Sequence, residues 1–390
     1  MPQNLPGVTL RPRGLHRLRS GHPWIFRDDL SGDGGAVGGD IVRVDTGGGT
    51  TVGYGSFSSH SKIALRLVGG PDRVPDDAFW IERLDRAFEY RQRVVSDATA
   101  YRLLFGESDG VPGLVADRYG THLVVQCMTA ASEKILAAIL PILQDQYGIE
   151  SVLARNDASV RTLEGLPRET RQIAGSTPPT IEVREGPVRY LVDPWNGQKT
   201  GAFLDQRENR MRFGELCRGR VLDAFSYQGA FALQAARLAE EVVAVDSSSR
   251  ALEQARATAA LNDLDNIEFA EAKVFDDLTA RGRAGERFDV IVLDPPAFAK
   301  SRRDVAAAER AYLEVNRRAL RLLGTDGILV TCSCSYNMSE ERFLRIVAAA
   351  TAGADRSARI VARHTQSRDH PIRVGFPESQ YLKCLVLNVM

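Results

Sequence analysis

The sequence predicts an α/β protein in three segments: a small N-terminal β-barrel, a compact central α/β domain and a C-terminal doubly wound sheet. Three observations carry this. Residues 1–72 are glycine-rich, with short alternating runs such as DIVRVDT, TVGYGSF and KIALRLV that read as strands. Residues 73–190 mix strand patterns with helical stripes. Residues 191–390 alternate apolar strands with amphipathic helices, the pattern of a parallel sheet covered on both faces. At 390 residues the chain exceeds one ordinary domain.

In order along the chain, GGPDRVPDD at 69–77 reads as a linker. The stretch FWIERLDRAFEYRQRVV then sets Trp80, Leu84, Ala87, Phe88 and Arg91 at helical spacing, a stripe that ends in charge. YRLLFGES, GLVADRYG and HLVVQCMT read as strands, ASEKILAAILPILQDQYG as a helix and SVLARND as a strand, and the segment ends near PVRYLVDP. Next, RVLDAF leads into the helix GAFALQAARLA, and EVVAVDSS into RALEQARATAALNDL. IEFAEAKV, FDVIVLDPP, the helix AYLEVNRRALRLL, GILVTCSCS and the last strand YLKCLVLNV follow.

Composition narrows the function classes. Lys plus Arg is 50 and Asp plus Glu is 50, so any nucleic-acid surface has to be local. No apolar run approaches the ~20 residues needed to cross a bilayer, and MPQNLPGVTLRPRG has no apolar core of a secretory signal. The 5 cysteines do not form a disulfide framework. A cytoplasmic protein with reduced thiols is expected, with no membrane partner.

The crevice beyond the strand ends is where ligands bind in such sheets. The first strand of the C-terminal segment ends at Asp223 and runs into Phe225, Ser226, Tyr227, Gln228 and Gly229. A dinucleotide pyrophosphate needs a glycine-rich cradle, and here Gly229 stands alone. The next strand ends at Asp246, an acid suited to both ribose hydroxyls. Ribose without phosphate points to S-adenosylmethionine as the cofactor. Gln206, in FLDQR, precedes the first strand and is placed over that cofactor.

The fourth strand ends in Asp294-Pro295-Pro296-Ala297-Phe298. Two prolines stop the strand and expose carbonyls to a flat base, and an aromatic two residues on can stack on it. Such a motif indicates base methylation without naming the atom. TCSCSYN at 331–337 lies at the end of the following strand. A structural zinc site needs about four Cys/His ligands at characteristic spacing. Cys127, Cys217 and Cys384 are isolated and none of the 6 histidines is paired, so no metal is expected. A nucleophile fits better: carbon-5 of cytosine becomes nucleophilic when a thiolate adds to carbon-6. Strand alternation puts Cys332 and Cys334 on one face, and geometry alone does not choose between them.

The chain resembles the PUA-domain-containing 23S ribosomal RNA (cytosine-5-)-methyltransferases nearly end to end. The resemblance rests on GHPWIF and SKIALRLV, on YRLLFGESDGVPGLVADRYG and ARNDASVRTLEGL, and on GQKTGAFLDQRENR, LDAFSYQGAFAL, LDPPAFAKS and CSCS. It implies a PUA-like RNA-binding barrel (1–72), a central domain (73–190) and a class I methyltransferase domain (191–390), often assembled as a homodimer. In that family the nucleophile is the cysteine of an S-C-S turn, which corresponds to Cys334. Cys332 stands where the family usually carries an apolar residue.

The implied reaction is 5-methylcytosine formation in 23S ribosomal RNA, with Asp294 at N3 of the base and Pro295 and Pro296 at its exocyclic amine. Phe298 and Lys300 are expected on the base or phosphate. Gln206, residues 225–229, Asp246, Val274 and Asp294 are expected around the cofactor. Two departures from the family stand out. Lys273 occupies the place of an acid that would accept from the adenine amine, and lysine cannot accept. Gln228 precedes Gly229 where threonine is usual. The rivals are an amino-group RNA methyltransferase using the same DPPAF motif and a non-catalytic RNA-binding assembly factor.

Overall fold

A computed structural model describes residues 5–299 and 301–390, which gather into two compact units. The first comprises residues up to Val183, Val192–Asp205 and Arg368–Ser379. The second comprises Arg184–Leu191, Gln206–Ser367 and Gln380–Met390.

In the first unit, β1 (Gly7–Leu10), α1 (Pro12–Arg19), β2 (Trp24–Phe26), β3 (Leu30–Gly32), β4 (Ile41–Thr46), β5 (Thr51–Phe57) and β6 (Ile63–Gly69) come first. Their strands form one sheet in the order β2-β6-β5-β4-β1-β3. Val8, Ile25, Val42, Val44, Ala64 and Leu65 are buried in its core; Val42 and Val44 alternate along β4, whereas β6 buries consecutive residues. The short helix α1 was not expected from the glycine-rich pattern. Proline in its first turn fits the missing N–H of a helix start.

There follow α2 (Asp77–Val94), β7 (Ala100–Phe105), β8 (Leu114–Tyr119), β9 (His122–Cys127), α3 (Ala130–Asp145), β10 (Ser151–Asn156), α4 (Val160–Leu163) and β11 (Glu169–Ala174). The sheet order is β11-β10-β9-β8-β7. Asp76 caps α2 by accepting from the Phe79 amide, and Thr129 with Ser132 forms a capping box on α3. The core under this sheet also takes Tyr54 of β5 and Val68 of β6, packed with Phe79, Trp80 and Leu84. A cut at residue 72 therefore runs through a shared apolar cluster. The hairpin of β12 (Ile181–Glu185) and β13 (Val188–Val192) closes this stretch.

The second unit holds α5 (Arg207–Leu216), β14 (Arg220–Ala224), α6 (Ala230–Ala235), β15 (Glu241–Asp246), α7 (Ser249–Leu261), β16 (Ile267–Glu271), α8 (Val274–Arg283) and β17 (Phe288–Leu293). It continues with α9 (Val305–Leu322), β18 (Leu323–Ser333), α10 (Glu340–Gly353), β19 (Ala358–His364) and β20 (Lys383–Val389). The seven-stranded sheet runs β16-β15-β14-β17-β18-β20-β19. The first five strands in that order are parallel, as the strand–helix alternation predicts, whereas β20 pairs antiparallel with both β18 and β19. The order reverses between β15, β14 and β17, so β14 and β17 flank the switch point. Apolar residues of β14, β15 and β17 are buried on both faces, one set packing with α8, α9 and α10 and the other with α5 and α6. On α9, Ala308, Tyr312, Val315, Ala319 and Leu322 make one buried stripe. Among the described residues no helix is long and apolar enough to cross a membrane.

Candidate active site at the strand ends of the second unit

Three carboxylates end strands on either side of the switch point: Asp223 near the end of β14, Asp246 at the end of β15 and Asp294 just past β17. Asp223 is fully buried, and burial first, then Asp294 and Asp246, push its carboxyl up to about 8. One of its oxygens accepts from the Ala232 amide at 2.9 Å, and the other has no partner.

The turn after β14 is strained. Phe225, Tyr227 and Gly229 take φ of 67°, 50° and 72°, and two of these carry side chains. A Cβ at Gly229 would crowd the Ala255 Cβ at 3.1 Å, and its positive φ is one that side chains rarely adopt, so glycine suits this turn. Asp246 holds the turn, accepting from the Tyr227 amide (2.8 Å) and from Ser248 N (2.9 Å). A carboxylate offers about four acceptor sites, so both oxygens keep capacity for hydroxyl donors. The Ser226 hydroxyl is buried with no partner. Unsatisfied polar atoms in a strained turn beside a half-buried acid fit a polar ligand with a ribose. Val274 is buried in the apolar core, and Gln228 hydrogen-bonds Gln254 of α7 at 2.8 Å. Lys273 stands exposed at the N-cap of α8 without a side-chain capping bond, and Glu271 is exposed as well.

Gln206 is buried and donates to Asp294 at 2.9 Å, and its own carbonyl accepts from Asn209 at 2.6 Å. Sequence reasoning set Gln206 over the cofactor; in the structure its amide also fixes the Asp294 carboxylate. Pro295 is buried, Pro296 exposed and Phe298 half-buried. The ring of Phe298 lies 6.3 Å from Phe225, 6.3 Å from Phe275 and 4.8 Å from Tyr312. Lys300 lies outside the described residues.

The two cysteines part company at the end of β18. The strand ends at Ser333, leaving Cys332 inside it and Cys334 beyond it. Cys332 is wholly buried opposite Cys384 of β20. Its hydrogen bond with Cys384, then burial, hold its thiol well above the usual range. Cys334 is half-buried, and its thiol lies 4.0 Å from the Pro295 carbonyl. The serines on each side are locked: Ser333 and Ser335 each hydrogen-bond the Tyr312 hydroxyl at 3.0 Å, and Ser335 also accepts from the Ala299 amide at 3.1 Å. Lys383, the first residue of β20, donates to the Ser335 carbonyl at 2.7 Å.

Sequence reasoning saw the serines of the S-C-S turn but missed Tyr312, which holds them, and Lys383. Tyr312 reads as one more core aromatic, although a buried phenol needs a polar partner. Lys383 had a signal, as the lone charge in the apolar run YLKCLVLNV. Of the N-terminal arginines near Trp24 and Phe26, Arg11 donates to the Leu30 carbonyl, Arg13 and Arg17 pair with Asp29, and Arg27 donates to the Ser58 and Ser61 carbonyls. Among the described residues no group of three or more His, Cys, Asp or Glu is arranged to hold a metal ion.

Residues 218–373 match the family described as a methyltransferase domain, and residues 8–69 match the PUA-like domain family. A solved methyltransferase chain from Streptococcus mutans, provisionally assigned as SAM-dependent, superposes with TM-score 0.82 at 21% identity, covering 98% of this chain and 99% of that one. A second solved structure, a provisionally assigned methyltransferase complexed with SAH, superposes with TM-score 0.83 at 21% identity and the same coverage. The ribosomal RNA large subunit methyltransferase I of Aeromonas hydrophila is 41% identical over 377 residues, 94% of this chain and 95% of that protein. The protein of the same name from Escherichia coli O127:H6 is 36% identical over 378 residues, 95% of this chain and 96% of that protein. Identity at this level along almost the whole of both chains means that the chain belongs to the ribosomal RNA large subunit methyltransferase I family.

Proposed function

We propose that the protein methylates carbon-5 of a cytosine in 23S ribosomal RNA, with S-adenosylmethionine as donor and Cys334 as covalent nucleophile. The observation that carries this reading is the approach of the Cys334 thiol to the Pro295 carbonyl at 4.0 Å. It joins the S-C-S turn and the DPPAF motif at adjoining strand ends. Bound near Asp246 and the 225–229 turn, S-adenosylmethionine supplies the methyl group that carbon-5 of the base takes.

The chain's own residues do the rest. A target cytosine drawn out of its stack lies against Phe298, its exocyclic amine on the carbonyls of Pro295 and Pro296. The Cys334 thiolate forms a bond to carbon-6, and the ring electrons move toward N3, where Asp294 donates a hydrogen bond or a proton. Gln206 holds Asp294 in place for this. After methyl transfer a base removes the carbon-5 proton, the C6–S bond breaks, Cys334 leaves as thiolate, and a proton given to N3 returns to Asp294. Lys300 is assigned to a phosphate of the same RNA segment. Residues 1–72 are assigned to RNA binding, 73–190 to a central domain and 191–390 to catalysis.

The test is covalent trapping. RNA carrying 5-fluorocytidine at the target should give a gel-shifted adduct with wild type and with Cys332→Ala, because fluorine blocks the elimination. Cys334→Ala should give no adduct and no turnover while it still binds S-adenosylmethionine. An adduct retained in Cys334→Ala but lost in Cys332→Ala would reverse the assignment. Normal methylation by Cys334→Ala would favour transfer to an amino group, which needs no thiol.

A further inference from the structure

Lys383 has no role in the reaction as drawn above, yet its placement is costly. It sits at the start of β20, paired in register with Ser333, and only 6% of it is exposed. Its ammonium donates to two main-chain carbonyls, Ser335 at 2.7 Å and Tyr381 at 2.8 Å, and to no carboxylate. A buried cation without an ionic partner is penalised heavily. An apolar residue of similar length would fill the same space in this strand without that penalty. The carbonyl it grips belongs to the residue directly after Cys334, so the charge is held against the S-C-S turn. An ammonium has three donors, and two of them are occupied.

We infer that Lys383 is a positioning residue that acts through Cys334: its buried ammonium stabilises the Cys334 thiolate and so primes the nucleophile. The inference rests on the Cys334 reading above. The step is the loss of the thiol proton to solvent, with only the S–H bond broken, leaving a thiolate beside an ammonium. Burial lowers the Lys383 ammonium to about 8, and the charges of Cys334 and Glu340 oppose that fall. At neutral pH the cation therefore predominates, and whatever the thiolate does to keep Lys383 charged, Lys383 does in return to keep Cys334 ionised. Other titratable groups around the pair include Tyr312 of α9, Glu340 in the first turn of α10, and Asp294 past β17, with Cys332 and Cys384 one register step away. The first holds the flanking serines, the second acts on Lys383, and the third acts on Cys332 one pleat away.

The experiment is alkylation of the full-length protein by iodoacetamide, followed by peptide mass spectrometry from about pH 6 to about pH 10. Cys334 can be read selectively because Cys127, Cys217, Cys332 and Cys384 are buried. In wild type the rate at Cys334 should reach its midpoint below the ordinary thiol value of about 8.5. In Lys383→Met and Lys383→Gln the midpoint should rise by about one pH unit or more. Single-turnover methylation of 23S ribosomal RNA at neutral pH should then fall about tenfold, following the thiolate fraction. Lys383→Gln can still donate to the Ser335 carbonyl, so a purely structural lysine would leave its midpoint at the wild-type value. A wild-type midpoint at or above about 8.5 overturns the inference even if no variant folds. An unchanged midpoint in the folded variants also overturns it. If Cys334→Ala methylates normally while the midpoints move as expected, the nucleophile assignment fails and the charge coupling stands.

Discussion

The central sheet of the first unit and the seven-stranded sheet of the second treat buried polarity in opposite ways. In and around the central sheet three buried arginines are matched to carboxylates, although Nε of Arg155 on β10 has no partner. Arg91 forks onto Asp109 at 2.6 and 2.7 Å, Arg102 onto Asp117 at 2.8 Å for both contacts, and Arg161 meets Glu133 at 2.9 Å. Its strand-end cysteine, Cys127, is buried, and burial pushes that thiol up to about 12. At the strand ends of the second unit, Asp223 and Ser226 leave buried atoms without partners, Phe225 and Tyr227 are strained, and Lys383 hydrogen-bonds main-chain carbonyls. A sheet that serves only as scaffold has every reason to satisfy its charges. One that binds and reacts leaves capacity for what arrives.

The contrast can be broken at four places. The largest effect is expected in the scaffold: Arg102→Ala strands the Asp117 carboxylate and should cost about 3–5 kcal/mol in urea unfolding. Methyl-donor affinity of the folded fraction should be unchanged. A loss of affinity as large as the loss of stability would mean that the central sheet is part of the site.

Tyr312→Phe removes the hydroxyl shared by Ser333 and Ser335 and frees the cysteine turn. Single-turnover methylation should fall by up to about a hundredfold, the scale of a misplaced reacting group. The unfolding midpoint should move much less than for Arg102→Ala. Equal rates in the two proteins would reduce Tyr312 to core filling.

Asp246→Ala should weaken S-adenosylmethionine binding by about 1–3 kcal/mol in calorimetry. Unaltered affinity, or tight binding of NAD, would remove the ribose assignment.

The last test is of pH dependence. Asp223 has its pKa raised from 3.8 to about 8, so the folded state binds the extra proton across that window. Its contribution to stability is therefore complete at low pH and declines as pH rises toward 8. Asp223→Asn removes this decline, and the gap between variant and wild-type melting temperatures should widen in favour of the variant from about pH 4 to about pH 8. Parallel curves would mean that Asp223 ionises as freely folded as unfolded.

Much of the site could be read before any coordinates. Asp223, Asp246 and Asp294 each close an apolar run, and a period of two residues ending in an acid or a proline is local information. The C-S-C spacing was equally visible, but alternation could not separate Cys332 from Cys334. Which of them stays inside the sheet depends on where β18 stops, and β18 stops at Ser333. The hydrogen-bonding role of Gln206 was hidden for a similar reason. Its partner Asp294 is 88 residues away, and nothing in FLDQR announces it.

The sequence by itself determined the kind of elements, their order and the motifs at their ends, because periodicity and turn chemistry act over a few residues. Tertiary structure alone decided which side chains meet. It turned β20 antiparallel beside β18, and that register puts Lys383 opposite Ser333 and Cys384 opposite Cys332. It carried Tyr312 from α9 onto both serines of the cysteine turn, and it merged Tyr54 and Val68 into the core beneath the central sheet. Such contacts join residues far apart in the chain. Their energies come from burial and satisfied polar groups, which no local pattern specifies.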